Sequence, residues 1–139
     1  MPAAEEKGAS VSRPETAMRH SFSFNRSERL HLQKDFRRIF KTGRRLAHPA
    51  VFIYTSPRPD GGKTSRMGLV TSRKVGGATE RNLAKRRLRE LFRLNKHGLA
   101  EGTDIIFVLR PGIRKFSYAD LKKAVLGLLQ GSGVFSETA

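Results

Sequence analysis

The stretch from Arg81 to Arg93 constrains the fold more than any other part of this chain, because it combines helix-forming residues with two distinct surfaces. At about 3.6 residues per turn, one face of the helix carries only apolar side chains, namely Ala84, Leu88, Leu91 and Phe92. An arc roughly a quarter-turn away carries polar and cationic groups: Asn82, Lys85, Arg86, Arg89, Arg93 and Lys96. We therefore predict a helix that buries one side in a core and turns the neighbouring side toward a polyanion.

The net charge agrees with that prediction. The 139 residues contain 28 Lys and Arg against 12 Asp and Glu, a formal charge of +16, in a chain long enough for one domain. Such an excess favours association with a polyanion, and nucleic acid is the leading candidate. An anionic membrane is second, but no stretch approaches the length of a spanning helix, and no signal-peptide core follows the N-terminus. We expect no membrane association; the oligomeric state is not predictable from the sequence.

Cysteine and histidine content narrows the chemistry further. Cysteine is absent, which excludes disulfides, thiol catalysis and cysteine-based zinc sites, and fits a cytoplasmic protein. The four histidines are scattered without paired ligand spacing, so we expect no metal held by the protein. The spacing suggests no Ser–His arrangement. Four carboxylates lie near basic groups and are interpreted as surface ion pairs or helix-end charges: Glu80, Glu90, Glu101 and Asp104. We therefore predict that the protein has no catalytic residue. We also predict that Gly76-Gly77 forms an ordinary turn and not a phosphate-binding loop.

The periodicity along the chain predicts a small mixed fold. Helical spacing over Leu32 to Phe40 ends at a Thr42-Gly43 C-cap, and strands follow at 50–55 and 66–71, joined by a turn or hairpin loop rich in Pro and Gly. Next come the basic helix, with Thr79 as its N-cap, a nearly continuous apolar strand at 104–109, and a last helix capped by Ser117. Its core stripe comprises Ala119, Leu121, Ala124, Val125, Leu128 and Leu129.

We thus predict an α/β (α+β) two-layer sandwich with a small central sheet and the order α-β-β-(β)-α-β-α. The predicted domain organisation is a disordered N-terminal extension over 1–24, a single domain over 25–132 and a flexible C-terminal tail over 133–139.

Alternation in the first strand points to a binding surface. Val51 and Ile53 fall on one face of the sheet, and Phe52 and Tyr54 on the other. If the aliphatic face packs on helices, the aromatic face is left as a stacking platform for unpaired bases, although core packing is the usual fate of such aromatics. Phe36 and Phe40, on a helix with flanking cations, could complete its wall.

An ordered set of motifs over about residues 30–130 resembles the protein component of bacterial ribonuclease P. These motifs are Asp-Phe-x-x-Ile-Phe-x-x-Gly at 35–43, the run 68–76, Arg81-Asn82 followed by Lys85-Arg86-x-x-Arg89-Glu90, the segment from Asp104 to Gly112, and Ser117-Tyr118. Any one motif is weak, whereas the ordered set is highly specific.

The resemblance implies a protein that assists a catalytic RNA. In this family the RNA subunit holds the Mg²⁺ ions and removes the 5′ leader of precursor tRNA, and the protein itself binds no cofactor. The resemblance places the single-stranded leader against Phe36, Phe40, Phe52 and Tyr54. The residues placed against the RNA subunit are Arg73, Lys74, Arg81, Asn82, Lys85, Arg86, Arg89 and Arg93. It also implies a left-handed βαβ crossover, where the common rule predicts a right-handed one.

One position departs from the family signature, which usually reads Arg-Asn-Arg. Leu83 stands in the third place, far from the Lys85–Arg89 arc on the helix projection, and either one contact is missing or Arg87 substitutes for it. The alternative function is a general RNA-binding or ribosomal-type protein without catalytic context; no residues support a nuclease made of protein alone.

Overall fold

The computed structural model describes residues 24–136. The predicted disordered extension therefore lies outside the described residues except for Phe24, as do residues 137–139 of the predicted tail. Within the described part, four strands and three α-helices follow one another as α1 (Gln33–Thr42), β1 (Arg44–Ala47), β2 (Val51–Pro57), β3 (Arg66–Val70), α2 (Ala78–Asn95), β4 (Thr103–Leu109) and α3 (Tyr118–Ser132). None of the helices in this part is both long and apolar enough to span a bilayer.

The sheet has the order β1-β2-β4-β3, with β2 antiparallel to both of its neighbours and β3 parallel to β4. Strand β4 is therefore internal, and six of its seven residues are buried, as the continuous apolar run predicts. The hairpin alternative for the loop after β2 is wrong, because β4 lies between β2 and β3. The β3–α2–β4 unit is the predicted crossover; its left hand stays a prediction.

The main core lies on the face of the sheet that carries Val51 and Ile53. Both side chains are fully buried against α2 and α3, and the predicted stripe of α2 faces them. Each such aliphatic side chain contributes about 1.5–3 kcal/mol when fully buried. In α3, Leu121, Val125 and Leu129 are buried, but Ala119 is exposed, contrary to prediction. Ala119 precedes Leu121 by two residues and thus lies about 200° away around the helix.

The predicted helix ends are right at two helices and wrong at one. Gly43 forms the C-cap of α1, and the Ser117 side chain accepts a hydrogen bond of 3.1 Å from the Asp120 backbone N–H at the start of α3. Helix α2 begins at Ala78 with Gly77 as its N-cap, so Thr79 lies inside the first turn. The preceding Gly76 has φ 150°, a conformation that side chains disfavour, and the helix after this turn starts two residues earlier than the polar signal suggested.

Both ends of the described chain pack on the domain. The Phe24 ring lies 5.6 Å from that of Phe92, Glu28 pairs with Lys96, and Arg29 forms a parallel bridge with Met67 that extends the sheet beyond β3. At the other end Phe135 is buried, so residues 133–136 are folded against the domain beyond the predicted boundary at 132.

Candidate nucleic-acid interface

Helix α1 crosses the second face of the sheet and leaves an aromatic cleft beside it. Ile39 is fully buried in a small cluster with Leu30 and Ile106, which fixes the helix to the sheet. The ring centroids of Phe36 and Phe40 are 6.3 Å apart, and that of Tyr54 lies 4.8 Å from Phe40 in an edge-on arrangement. Phe40 remains 40% exposed. Three of the four predicted aromatic residues therefore form one partly open wall.

Phe36 reaches the sheet because β3 has no side chain at Gly68. A Cβ atom at that position would lie 2.6 Å from Cζ of Phe36, which is closer than carbon atoms can pack, and a tight 3.3 Å from Cβ of Leu30. The ring thus occupies the space that a side chain on β3 would fill. The sequence shows a glycine in a strand, but only the structure shows what approaches it.

Phe52 lies on the same face of the sheet as Tyr54, as predicted, but its ring contacts two arginines. The Cζ atom of Arg45 is 4.6 Å from its ring centroid, and that of Arg110 is 4.3 Å away. Both distances are within the range of favourable cation–π contact. Sequence reasoning missed both arginines as site residues; their places on β1 and after β4 became informative only once the strand order was known.

A buried carboxylate ties α1 to the sheet. Asp104, expected at the surface, has no exposed surface; it accepts two hydrogen bonds of 2.8 Å from Arg66 and one of 2.9 Å from Arg38 on α1. Arg38 also contacts Asp35, at 3.3 Å. Hydrogen bonding to Asp104 raises the pKa of Arg66 above its ordinary value. The prediction that Asp104 lies at the surface is wrong, because hydrogen bonds from two arginines allow its negative charge to be buried.

The cationic arc of α2 is partly open to solvent, as predicted. Asn82 and Arg86 are exposed, while Lys85 and Arg89 are half-buried. Burial, and then the charge of Arg29, lower the pKa of Arg89 below its ordinary value. No ion pair is formed by Arg89 within residues 24–136. Positive charges that repel one another in the free protein are stabilised when an anion binds between them.

The far end of the arc differs from the rest. Arg93 donates hydrogen bonds of 2.6 and 3.2 Å to Glu90, and Lys96 pairs with Glu28. Hydrogen bonding to Arg93 lowers the pKa of Glu90. Because these cations already have carboxylate partners, the surface available to a polyanion is centred on Lys85, Arg86 and Arg89.

The near end of α2 carries the remaining predicted cations. Arg73 and Lys74 are exposed on a short 3₁₀ turn between β3 and α2. The buried side chain of Val75 fixes this turn to the core. Arg81 donates a hydrogen bond of 2.7 Å to the Gly76 carbonyl, so its guanidinium lies over the turn before the helix. These cations thus continue the cationic surface around the start of α2.

The structure bears on the Leu83 position as well. Leu83 is 38% exposed and outside the core. Arg87, the residue proposed as its substitute, donates a hydrogen bond of 3.3 Å to the Phe116 carbonyl. The described structure therefore directs Arg87 toward the segment before α3.

One segment joins the two surfaces. Residues 29 and 30 run beside β3, where the Leu30 N–H donates to the Met67 carbonyl at 3.0 Å. Leu30 packs in the cluster under the aromatic cleft, and the positive charge of its neighbour Arg29 contributes to the lowered pKa of Arg89 on the cationic arc. Residues 29 and 30 thus run along the β3 edge between the cleft and the arc. Among residues 24–136, no group of three or more His, Asp or Glu side chains could hold a metal ion.

Comparison with known proteins agrees with this architecture. The family model described as Ribonuclease P matches residues 24–132. A ribonuclease P protein component from Thermotoga maritima is 39% identical over 112 residues, which cover 78% of this chain and 94% of that protein. One from Herpetosiphon aurantiacus is 38% identical over 105 residues, covering 76% of this chain and 84% of that protein.

Solved structures give the same result. The Staphylococcus aureus RNase P protein superposes with a TM-score of 0.71 at 28% identity, over 78% of this chain and 98% of that one. The Thermotoga maritima RNase P protein superposes with a TM-score of 0.67 at 35% identity, over 75% and 96% of the two chains. Proteins of this family have a role in an endoribonuclease holoenzyme. From the sequence match and the shared fold together, the chain belongs to the family of ribonuclease P protein components.

Proposed function

We propose that this chain is the ribonuclease P subunit that binds the catalytic RNA and the single-stranded 5′ leader of precursor tRNA, and so supports Mg²⁺-dependent removal of the leader. The observation that carries the proposal is that one small domain presents both a partly open aromatic cleft and a cationic arc, with residues 29 and 30 between them. A cleft of this kind suits unpaired nucleotides, and a cationic helix edge suits a folded RNA.

The aromatic cleft binds the leader by stacking. The exposed ring of Phe40 and the half-buried rings of Phe36 and Tyr54 offer flat surfaces to bases that are not paired. Stacking of one base on an aromatic side chain is worth about 1–3 kcal/mol and depends little on base identity. This suits a subunit that must accept leaders of different sequence.

The cationic arc binds the RNA subunit. Lys85, Arg86 and Arg89 neutralise phosphates where the RNA subunit and the precursor tRNA come together. Arg81 at the start of α2, and Arg73 and Lys74 on the turn before it, do the same, while the uncharged Asn82 amide contributes hydrogen bonds. Neutralised phosphates repel one another less, so fewer Mg²⁺ ions are needed to hold the catalytic structure. The Mg²⁺ ions belong to the RNA, and the protein contributes charge and position.

The active site lies in the RNA. The buried carboxylate Asp104 is held by two arginines and Glu90 by Arg93, so neither is arranged to act as a general base. The protein alone is therefore not expected to hydrolyse RNA.

The experiment that tests this function compares affinities. The protein with its cognate RNA subunit should bind precursor tRNA more tightly than mature tRNA, because only the precursor has a leader. A general RNA-binding or ribosomal-type protein would bind the two complexes equally well. Phe40→Ala should remove part of the difference, while Lys122→Ala, an exposed cation on α3, serves as the control.

A further inference from the structure

The aromatic cleft has two chemically different ends. Phe36, Phe40 and Tyr54 contact one another at one end, whereas Phe52, two residues before Tyr54, is in contact with Arg45 and Arg110. We propose that the Phe52 end binds the phosphate backbone of the leader through these two guanidinium groups, and that Phe52 positions the groups and does not stack on a base. This inference rests on the proposed function.

The strand register places both arginines on the cleft side of the sheet. Arg45 on β1 is paired directly with Tyr54, so its side chain projects from the same face. Arg110 follows β4 in phase with Ile106 and Val108, which belong to the cluster under the cleft. The two cations thus reach Phe52 from different segments, Arg45 from β1 and Arg110 from the residue after β4.

The Phe52 ring holds the guanidinium groups in place. Their Cζ atoms lie 4.6 and 4.3 Å from the ring centroid, and Nη1 of Arg110 donates a hydrogen bond of 3.1 Å to the His48 carbonyl. A stacked guanidinium keeps its N–H groups in the plane parallel to the ring, where they remain able to donate. An arginine fixed in this way loses less side-chain entropy when it binds a phosphate.

Charge identifies the occupant. Neither Arg45 nor Arg110 is paired with a carboxylate in the part of the chain that the structure covers. Arg38 and Arg66, on the same face, both bind Asp104. Two unpaired guanidinium groups beside an aromatic wall complement a strand whose bases stack while its phosphates carry negative charge.

Salt dependence separates this role from stacking. The assay measures affinity of the holoenzyme for precursor tRNA and for mature tRNA between about 0.1 and 0.4 M monovalent salt. Arg45→Gln and Arg110→Gln should each reduce the slope of log affinity against log salt by about 0.7 for the precursor, with no change for mature tRNA. Tyr54→Leu should lower precursor affinity at every salt concentration and leave the slope unchanged.

Phe52 gives the sharper comparison. Phe52→Leu should reduce the precursor slope as the arginine variants do, and should add little to a protein that already carries both arginine changes. A Phe52→Leu effect like that of Tyr54→Leu would overturn the inference. The inference would also be overturned if the salt slopes for precursor tRNA of Arg45→Gln and Arg110→Gln equalled that of Lys122→Gln, a control on the opposite side of the sheet.

The two proposals fail in different ways. Equal affinity of the unaltered holoenzyme for precursor and mature tRNA would refute the proposed function and this inference together. A clear preference for the precursor, with slopes unaffected by either arginine change, would refute the inference alone. Circular dichroism and urea unfolding of each variant establish that the compared proteins are folded.

Discussion

Replacing Gly68 by Ala tests whether the sheet backbone shapes the aromatic cleft. The new Cβ would lie 2.6 Å from Cζ and 2.8 Å from Cε1 of Phe36, and 3.3 Å from Cβ of Leu30. The backbone of Gly68 is outside the left-handed region, so alanine can adopt its conformation and the penalty is purely steric. Because Phe36 is held on α1 by the neighbouring buried residues, its ring must rotate or the helix must shift.

Overpacking of this kind costs about 1–3 kcal/mol. We expect Gly68→Ala to lower the free energy of unfolding by that amount in urea titrations at constant m-value. Gly127→Ala is the matched control, because it adds the same methyl group within α3, where the new Cβ would lie more than 4 Å from every atom apart from its chain neighbours and the helix backbone. The control should stabilise the protein by up to about 1 kcal/mol, the difference in helix propensity between glycine and alanine.

The same substitution should act on function through the displaced ring. Holoenzyme containing Gly68→Ala should lose affinity for precursor tRNA by about tenfold, equivalent to about 1.4 kcal/mol for one weakened stacking contact, and retain its affinity for mature tRNA. Wild-type stability together with wild-type precursor affinity would show that the Phe36 ring does not occupy the space above Gly68, and would refute the reasoning.

Three further predictions concern the charges and the core. Asp104→Asn should destabilise the fold by about 3–5 kcal/mol in urea unfolding, because two guanidinium groups lose a buried partner; a loss below about 1 kcal/mol, typical of exposed pairs, would contradict it. Arg89→Ala should weaken binding to the RNA subunit and reduce the salt dependence of that binding, with little loss of stability. Leu88→Ala should lower the free energy of unfolding by about 2–5 kcal/mol. Unfolding of the Arg89→Ala variant would contradict this prediction. Hydrogen bonding to Arg93 lowers the pKa of Glu90 in the fold below its ordinary value of 4.5, so its stabilisation is present above that pH and is lost on acidification. The unfolding free energy of Glu90→Gln should accordingly fall less steeply below pH 4.5 than that of the unaltered protein.

Periodicity predicted much of the fold from the sequence. The buried side of α2, the burial of β4 on both faces and the alternation along β2 all followed from the spacing of apolar residues. These features depend on local sequence, so a local pattern is enough to predict them. The strand order does not depend on local sequence. The sequence allowed a turn or a hairpin after β2, and the hairpin alternative is wrong because β4, far along the chain, lies between β2 and β3.

The candidate site shows the same division. Phe36, Phe40, Phe52 and Tyr54 were predicted to share a wall, and all of them except Phe52 contact one another. The surroundings of Phe52 could not be predicted, because Arg45 on β1 and Arg110 after β4 both come from other segments of the chain. The buried state of Asp104 was missed for a related reason: its partner Arg38 is 66 residues away in sequence. Long-range charge pairing leaves no periodic signal.

The most direct test of the central claim is cleavage of precursor tRNA by the cognate RNA subunit, measured across a Mg²⁺ titration with and without this chain. We predict that the protein shifts the Mg²⁺ requirement to lower concentration, and that protein without the RNA cleaves nothing at any Mg²⁺ concentration. An identical Mg²⁺ requirement in the two titrations, or cleavage by the protein alone, would contradict the account.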